Sequence, residues 1–485
     1  MGSIPSFNDV TYNSNNSNNN GGNKKLQFIV IGAGLIGPRH ADHIVSRPDC
    51  QLLAIVDHSA KGPLVSKQFN TRLFKNLTEL FEFCEFNNEG VTYPDAAIIA
   101  TPNHTHVDLG LQLASKGIHL LVEKPLAPTA EDCKTLVDYC HSKNIHLLIG
   151  HHRRFNPYII TTKKNLKKLG HLVAIQGTWT LCKPPSYFLE KPWRSSLELG
   201  GGTLLINLIH DLDLLQYLLG PIEKVYAELL SKQRIDRFDN HNNNISPNSI
   251  ENSNLVDEGA ALTLKFANGC CGTFICSDNV TSPFSFEVGT GENPTVPFNE
   301  EVHGFYRIFG SHGTISVPDM KLYHQKDNEF EDDYELINNS MSNNFDDARS
   351  WLKPIVTEQL KMDHEEEDED NELDIDMENT LLPTPSPSPN YKEYSPIHNS
   401  TRPTESSSTT TKTKEKPKPF DLQLDHFVNI ITGKESYVKC TGEDALQALL
   451  CIEAVMKSIQ SGLPQFVKNI DQVQPNNELL NEYKN

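Results

Sequence analysis

The sequence predicts two layered units in one chain: an α/β unit with a parallel sheet, then an α+β unit with an open antiparallel sheet. Three observations carry this. Between Lys25 and Gly150, short apolar runs alternate with helix-length stretches, the pattern of a parallel sheet covered on both faces. Directly after the first run stands Gly32-Ala33-Gly34-Leu35-Ile36-Gly37, a glycine turn leading from strand into helix. Beyond Gly150 strand follows strand, and Asn268-Gly269 between two of them marks a hairpin, because both residues tolerate positive φ.

In the first unit, strands are expected at Leu26–Ile31, Leu52–Val56, Ala96–Ala100, Ile118–Val122 and Ile145–Ile149. Helices fall after the glycine turn to Val45 and near Thr78–Glu85, Val107–Lys116 and Ala130–Ser142. In the second unit, the strands are Leu172–Leu181, Ile222–Leu230, Ala260–Phe266, Gly272–Ser277, Phe305–Phe309 and Thr314–Val317, with a long apolar helix at Thr203–Leu219.

Composition sets the limits. The chain has 485 residues, enough for two or three domains, but only 37% of them are hydrophobic, low for a chain folded throughout. The expected division is a disordered tail at 1–23, a dinucleotide-binding domain at 24–150 and an α+β domain at 151–325 with an Asn-rich insertion at 236–254. An acidic and Pro/Ser/Thr-rich insertion follows at 326–417, then a helical return to the α+β domain at 418–468 and a tail at 469–485. The net charge is −20, and the run from Asp363 to Glu378 holds eleven acids and no Lys or Arg. The rest of the chain is only mildly acidic, so no basic nucleic-acid footprint is present. No apolar run reaches membrane-spanning length, and ten cysteines without a Cys-x-x-Cys pair fit reduced thiols in a cytoplasmic protein with no metal site.

The glycine turn carries the first chemistry. Gly32 permits the tight turn, Gly34 lets the backbone approach a pyrophosphate, and Gly37 lets helix and strand pack closely. The backbone at Leu35 and Ile36 opens the helix, whose free N–H groups and dipole favour phosphate. Asp57, at the end of the second strand, stands where it would accept hydrogen bonds from ribose hydroxyls and repel a 2′-phosphate. NAD is therefore expected before NADP, with His58, Ser59 and Lys61 keeping NADP open.

Two further strand ends are polar. Thr101, Asn103 and His106 follow one of them and are expected to line the cofactor. Glu123-Lys124-Pro125 ends another, where proline stops the ladder and holds Lys124 at the carboxyl edge of the sheet, the ligand side of open α/β folds. In the second unit Gly200-Gly201-Gly202 precedes the long helix. At helical spacing Asn207, His210 and Asp211 share one face of it, opposite Leu208, Leu212, Leu215 and Leu219. So polar a patch in so apolar a helix costs free energy unless it is hydrogen-bonded or used.

In this order the motifs resemble the Gfo/Idh/MocA family of nicotinamide-dependent oxidoreductases. The likeness rests on Gly32–Gly37, Glu123-Lys124-Pro125, the glycine triplet followed by His210 and Asp211, His151–Pro157 and Thr441–Leu446, and covers about 24–325 and 418–468. It implies a Rossmann domain followed by an open-sheet domain, with Lys124 and His210 meeting at the substrate carbon. His210 then accepts the hydroxyl proton, Lys124 holds the substrate oxygen, and Glu123 fixes the lysine. The implied substrate is a polyhydroxylated small molecule, a sugar, cyclitol or polyhydroxy acid. Arg153, Arg154, Trp193, Arg194, Asn207 and Asp211 are candidate pocket residues, the arginines and Trp193 reading equally well as packing residues. Many members carry an aspartate four residues before the histidine, where this chain has Ile206. The open sheet is a candidate surface for self-association. The family also includes a fungal repressor that binds dinucleotide without catalysis, so a dinucleotide-sensing regulator is the competing expectation.

Overall fold

A computed structural model of the chain describes residues 25–87, 90–197, 199–234, 256–293, 295–325, 355–362, 418–481 and 483. The tail at 1–23, the insertion at 236–254 and most of 326–417 lie outside the described residues.

The first unit runs β1 (Leu26–Ile31), α1 (Gly37–Ser46), β2 (Cys50–Val56), α2 (Gly62–Gln68), β3 (Arg72–Phe74) and α3 (Leu77–Phe86). It continues with β4 (Ala96–Ile99), α4 (His106–Ser115), β5 (His119–Val122), α5 (Ala130–Ser142) and β6 (Leu147–Ile149). Its six strands lie in the order β3-β2-β1-β4-β5-β6, all pairs parallel. The order reverses at β1, so a crevice opens between β1 and β4 at their carboxyl ends. The residues of β4 and most of those of β1 and β5 are buried, as strands covered on both faces must be. Gly37 takes part in this packing: a Cβ there would lie 1.8 Å from the Gly32 carbonyl oxygen.

The second unit contains α6 (Pro157–Asn165), β7 (Leu172–Thr180), α7 (Pro185–Leu189), α8 (Ile209–Leu219), β8 (Ile222–Leu229), β9 (Gly259–Phe266) and β10 (Cys271–Ser277). Next come α9 (Phe286–Thr290), β11 (Tyr306–Gly310), β12 (Gly313–Val317), β13 (Lys321–Gln325) and β14 (Ile355–Gln359). After the insertion the chain forms α10 (Pro419–Ile431), α11 (Gly442–Ser461), β15 (Gln465–Phe466) and α12 (Asn477–Asn481). Among the described residues, nine strands make one sheet in the order β14-β13-β12-β11-β7-β10-β9-β8-β15. The β9–β10 hairpin turns at Gly269, φ +95°, where the sequence places it. One pair departs from the expected antiparallel sheet: β7 and β10 run parallel, because the chain leaves β7 and returns to its flank through α8, β8 and β9. One face of the sheet packs on α8 and α11, while Val173 and Ile275 remain exposed.

Three boundaries differ from those read in the sequence. Ile355–Gln359, inside the stretch read as disordered, pairs with β13, and Leu360 is buried in the core beside it. The helical return is shared rather than belonging to the second unit. Leu424, Phe427 and Val428 of α10 pack against Phe28, Val30 and Ile98 of the parallel sheet. Leu446 and Leu449 of α11 join the other face of that sheet, while Ala448, Cys451 and Val455 join the second core. The segment read as a tail at 469–485 buries Ile470 and Val473 in the first unit. Burying these aliphatic side chains stabilises the docking by about 1.5–3 kcal/mol each, which a short polar-looking sequence does not advertise.

Candidate active site

A cleft of about 1290 Å³ lies along the carboxyl ends of β1, β2, β4 and β5 and is closed from above by the second unit. Its floor is the glycine turn. Gly32 has φ +102°, and a Cβ on it would meet the Ala100 carbonyl oxygen at 2.5 Å. Gly34 faces open space, so its backbone is accessible from the cleft. Leu35 and Ile36 line the same wall, and Gly37 lies beneath it.

Asp57 borders the floor. Its Oδ2 accepts from the Ala33 N–H at 2.6 Å and its Oδ1 from the Ser59 N–H at 2.6 Å. Burial opposes its ionisation, but these donors outweigh burial and hold the carboxyl below the usual aspartate range. Thr101 and Asn103 line the cleft after β4, with the Thr101 and Thr105 hydroxyls 2.6 Å apart. His106 does not reach the cleft. It is fully buried, with Nδ1 2.9 Å from the Pro125 carbonyl and Nε2 2.9 Å from the Thr101 carbonyl. Its position at the start of α4 turns the ring inward, where it lies between two loop carbonyls.

Lys124 projects from the end of β5 toward the second unit, and its Nζ donates to the Ile206 carbonyl at 3.1 Å. Burial, reinforced by Arg153 and Lys183 and opposed by Glu123, pulls the ammonium pKa down to about 8. The expected clamp between Glu123 and Lys124 is absent. Glu123 Oε1 lies 2.8 Å from His40 Nε2 on α1, so it acts on Lys124 through its charge.

Ile206 belongs to a π turn, Leu204–Leu208, that opens the long helix before α8 begins. The wider turn upsets the α-helical spacing assumed from the sequence. Asn207 and His210 line the cleft, but Asp211 lies behind it, accepting from the Tyr306 hydroxyl with its other oxygen 3.8 Å from Arg153. Burial raises the Asp211 pKa to about 7. His210 is buried, its Nδ1 has no partner, and burial together with Lys124 and Arg153 holds its pKa well below the usual imidazole value. Near neutral pH it is therefore an uncharged base.

The paired arginines divide. Arg153 lines the cleft and is held by acids on two of its three nitrogens: Nε meets Glu292 at 2.8 Å and Nη2 meets Glu287 at 2.6 Å, while Nη1 is buried without a hydrogen-bond partner. Arg154 does not line it. It grips Asp213 at 2.6 and 2.9 Å, the Lys439 carbonyl at 2.7 Å and Asp444 at 2.9 Å, tying α8 to the start of α11. Trp193 and Arg194 line the outer wall. The sequence reading passed over His152, Tyr187, Lys191 and Phe420, all of which border the cleft. His152 stacks on Phe420 at 4.4 Å. Its place in His151–Pro157 was a usable signal; Phe420, returning after the long insertion, had none.

Residues 26–151 match the family described as "Oxidoreductase family, NAD-binding Rossmann fold", and residues 165–316 match the "GFO/IDH/MocA C-terminal domain". The chain belongs to the Gfo/Idh/MocA family. Within this family, one relative is the levoglucosan dehydrogenase of Pseudarthrobacter phenanthrenivorans, 27% identical over 42% of this chain and 55% of that protein. Another is the inositol 2-dehydrogenase of Rhizobium meliloti, 25% identical over 58% of this chain and 83% of that protein. The match spans little more than half of the first relative, and 58% of the Rhizobium meliloti rhizopine catabolism protein MocA. Among solved Gfo/Idh/MocA structures, the WlbA dehydrogenase of Bordetella pertussis, determined with NADH and UDP-GlcNAcA, superposes with a TM-score of 0.57. It is 18% identical, with 92% of this chain and all of that one covered, a likeness of fold. Among the described residues no helix is long and apolar enough to cross a membrane, and no cluster of three or more His, Cys, Asp or Glu is arranged to hold a metal ion.

The division of the arginines is testable by denaturation. Arg154→Ala leaves Asp213 buried without its cation and lowers unfolding free energy by about 3–5 kcal/mol in a urea titration. A pocket role for Arg154 would instead appear as a raised KM in a protein of unchanged stability.

Proposed function

We propose that the protein is an NAD-dependent dehydrogenase that oxidises a secondary alcohol of a polyhydroxylated small molecule, or reduces the corresponding ketone. The observation that carries this reading is the placing of a lysine of lowered pKa and an uncharged histidine in one cleft, beside a glycine turn. The floor fits a dinucleotide: the Gly34 backbone is open to a pyrophosphate, and the Asp57 carboxylate is held ionised where an adenosine ribose would lie. The relatives named as inositol and levoglucosan dehydrogenases support a polyol substrate.

A bound nicotinamide supplies the hydride acceptor. The residues of the chain do the rest. His210, uncharged near neutral pH, takes the hydroxyl proton as the carbinol hydrogen leaves as hydride. The Lys124 ammonium donates to the same oxygen and stabilises the negative charge that develops on it. Burial keeps His210 unprotonated, and the charges of Lys124 and of Arg153, the latter held by Glu287 and Glu292, add to it. Asp57 favours NAD, because its carboxylate repels a 2′-phosphate; His58, Ser59 and Lys61 border the same site and supply what NADP affinity there is. A dinucleotide sensor on this fold needs the glycine turn but not a poised lysine and histidine, so the regulator reading is the weaker one.

Turnover of a panel of polyols and hydroxy acids with NAD tests the proposal, and loss of roughly a hundredfold or more in kcat/KM is expected for Lys124→Ala and for His210→Ala. No turnover by the unaltered protein refutes it. The pH profile has a defined sign. Lys124 acts protonated, so kcat/KM falls as pH rises through about 8, while the acid limb lies well below pH 6.5 because His210 stays neutral there. In a second measurement, fluorescence titration gives tighter binding of NADH than of NADPH, and Asp57→Ala narrows the difference.

A further inference from the structure

The outer wall of the cleft identifies the class of polyol, resting on the dehydrogenase reading. Asn207 stands in the π turn beside Ile206, and its amide orientation is decided by its partner. Lys183 Nζ donates to Asn207 Oδ1 at 2.6 Å. A lysine ammonium only donates, so the oxygen must face it and the NH₂ must face away. Lys183 is itself held by Asp278 at 3.6 Å. Asn207 lines the cleft and its Nδ2 makes no hydrogen bond among the described residues, so it offers N–H donors to whatever occupies the cleft.

A second donor lines the same cleft. The Tyr187 ring has the Arg194 guanidinium 3.7 Å from its centroid and the Lys183 ammonium 4.4 Å from the same point. The Tyr187 ring thus contacts both Arg194 and the lysine that orients Asn207. The Arg194 backbone is fastened to the glycine triplet, its carbonyl accepting from the Gly202 N–H at 3.1 Å. Its Nη1 donates to the Tyr187 carbonyl at 2.6 Å, but its Nε is buried without a partner, and no carboxylate of the chain pairs with it among the described residues. Lys191 stands near enough to feel its charge and also lines the cleft. Of the acids at the cleft's inner end, Glu287 is engaged by Arg153 and Trp179 and Glu123 by His40, while Glu292 meets Arg153 through Oε1 and has its Oε2 3.5 Å from His152 Nε2.

We infer that the substrate is a carboxylated polyol, an aldonate or uronate, whose carboxylate is received by Arg194 and the Asn207 amide while the carbinol to be oxidised lies between Lys124 and His210. Oxidation takes the carbinol hydrogen as hydride to NAD and the hydroxyl proton to His210, and the carboxylate is unchanged. Lys183 is a positioning residue, which sets Asn207 as a donor. A neutral polyol leaves the Arg194 charge unanswered.

The test uses the full chain with saturating NAD. Initial rates are compared for aldonates and uronates, including D-gluconate and D-glucuronate, and for the neutral polyols D-glucitol and myo-inositol. The acids are expected to have the higher kcat/KM. Arg194→Met lowers the acid-to-neutral ratio roughly ten- to a hundredfold through KM, the worth of a charge-assisted hydrogen bond, and Arg194→Lys restores part of it. Asn207→Asp, on a different element, lowers the same ratio by setting a carboxylate against the substrate's. A preference for neutral polyols overturns the inference and leaves the dehydrogenase reading intact, as does an equal loss on both classes in both variants. If no compound reduces NAD, the dehydrogenase reading fails, and calorimetric titration of D-gluconate into the NAD-loaded protein decides the inference alone. Saturable binding weakened by Arg194→Met upholds it; no binding overturns it.

Discussion

A lysine ammonium drawn out of water at the seam between two sheets is the constraint on which this site depends. Lys124 donates to the Ile206 carbonyl across that seam, and removing a cation from water is tolerated only where polar groups replace the lost hydration. The replacements come from several parts of the chain. Glu123 supplies opposite charge from the adjoining residue, and the π turn at Leu204–Leu208 supplies the carbonyl. Arg153, drawn in by Glu287 and Glu292, pushes the other way and keeps the lysine near its titration point. Burial likewise keeps His210 neutral, with Lys124 and Arg153 adding to it.

Holding that seam closed is the work of the C-terminal helices. Helix α11 contributes Leu446 and Leu449 to one core and Cys451 and Val455 to the other. Arg154 binds its first turn to α8 through Asp444 and Asp213. Lys124 and His210 thus line one cleft at a junction shared by both cores. Phe420 on α10 adds an aromatic wall against His152.

Much of this was legible in the sequence because it depends on local rules. A glycine turn after an apolar strand, a strand cut short by Pro125 and a hairpin at Asn268-Gly269 each follow from the conformations their residues permit. What was not legible depends on distant partners or on broken periodicity. Arg153 and Arg154 are adjacent and chemically identical, and only the acids brought to each by the fold separate them. Asp211 was assigned to the cleft from an α-helical spacing that the π turn does not keep. His106 carries no mark in the sequence that its ring turns inward, and β14 is five residues inside a long polar stretch, paired only because β13 offers it an edge.

Every step of the account requires that a nicotinamide ring lie in the cleft lined by Lys124 and His210. A crystal structure of the chain with NAD measures this directly. The account predicts the pyrophosphate over Gly32–Gly37, the adenosine ribose at Asp57, and the nicotinamide C4 facing a space bounded by both Lys124 Nζ and His210. A nicotinamide whose C4 faces a pocket lacking either side chain contradicts it.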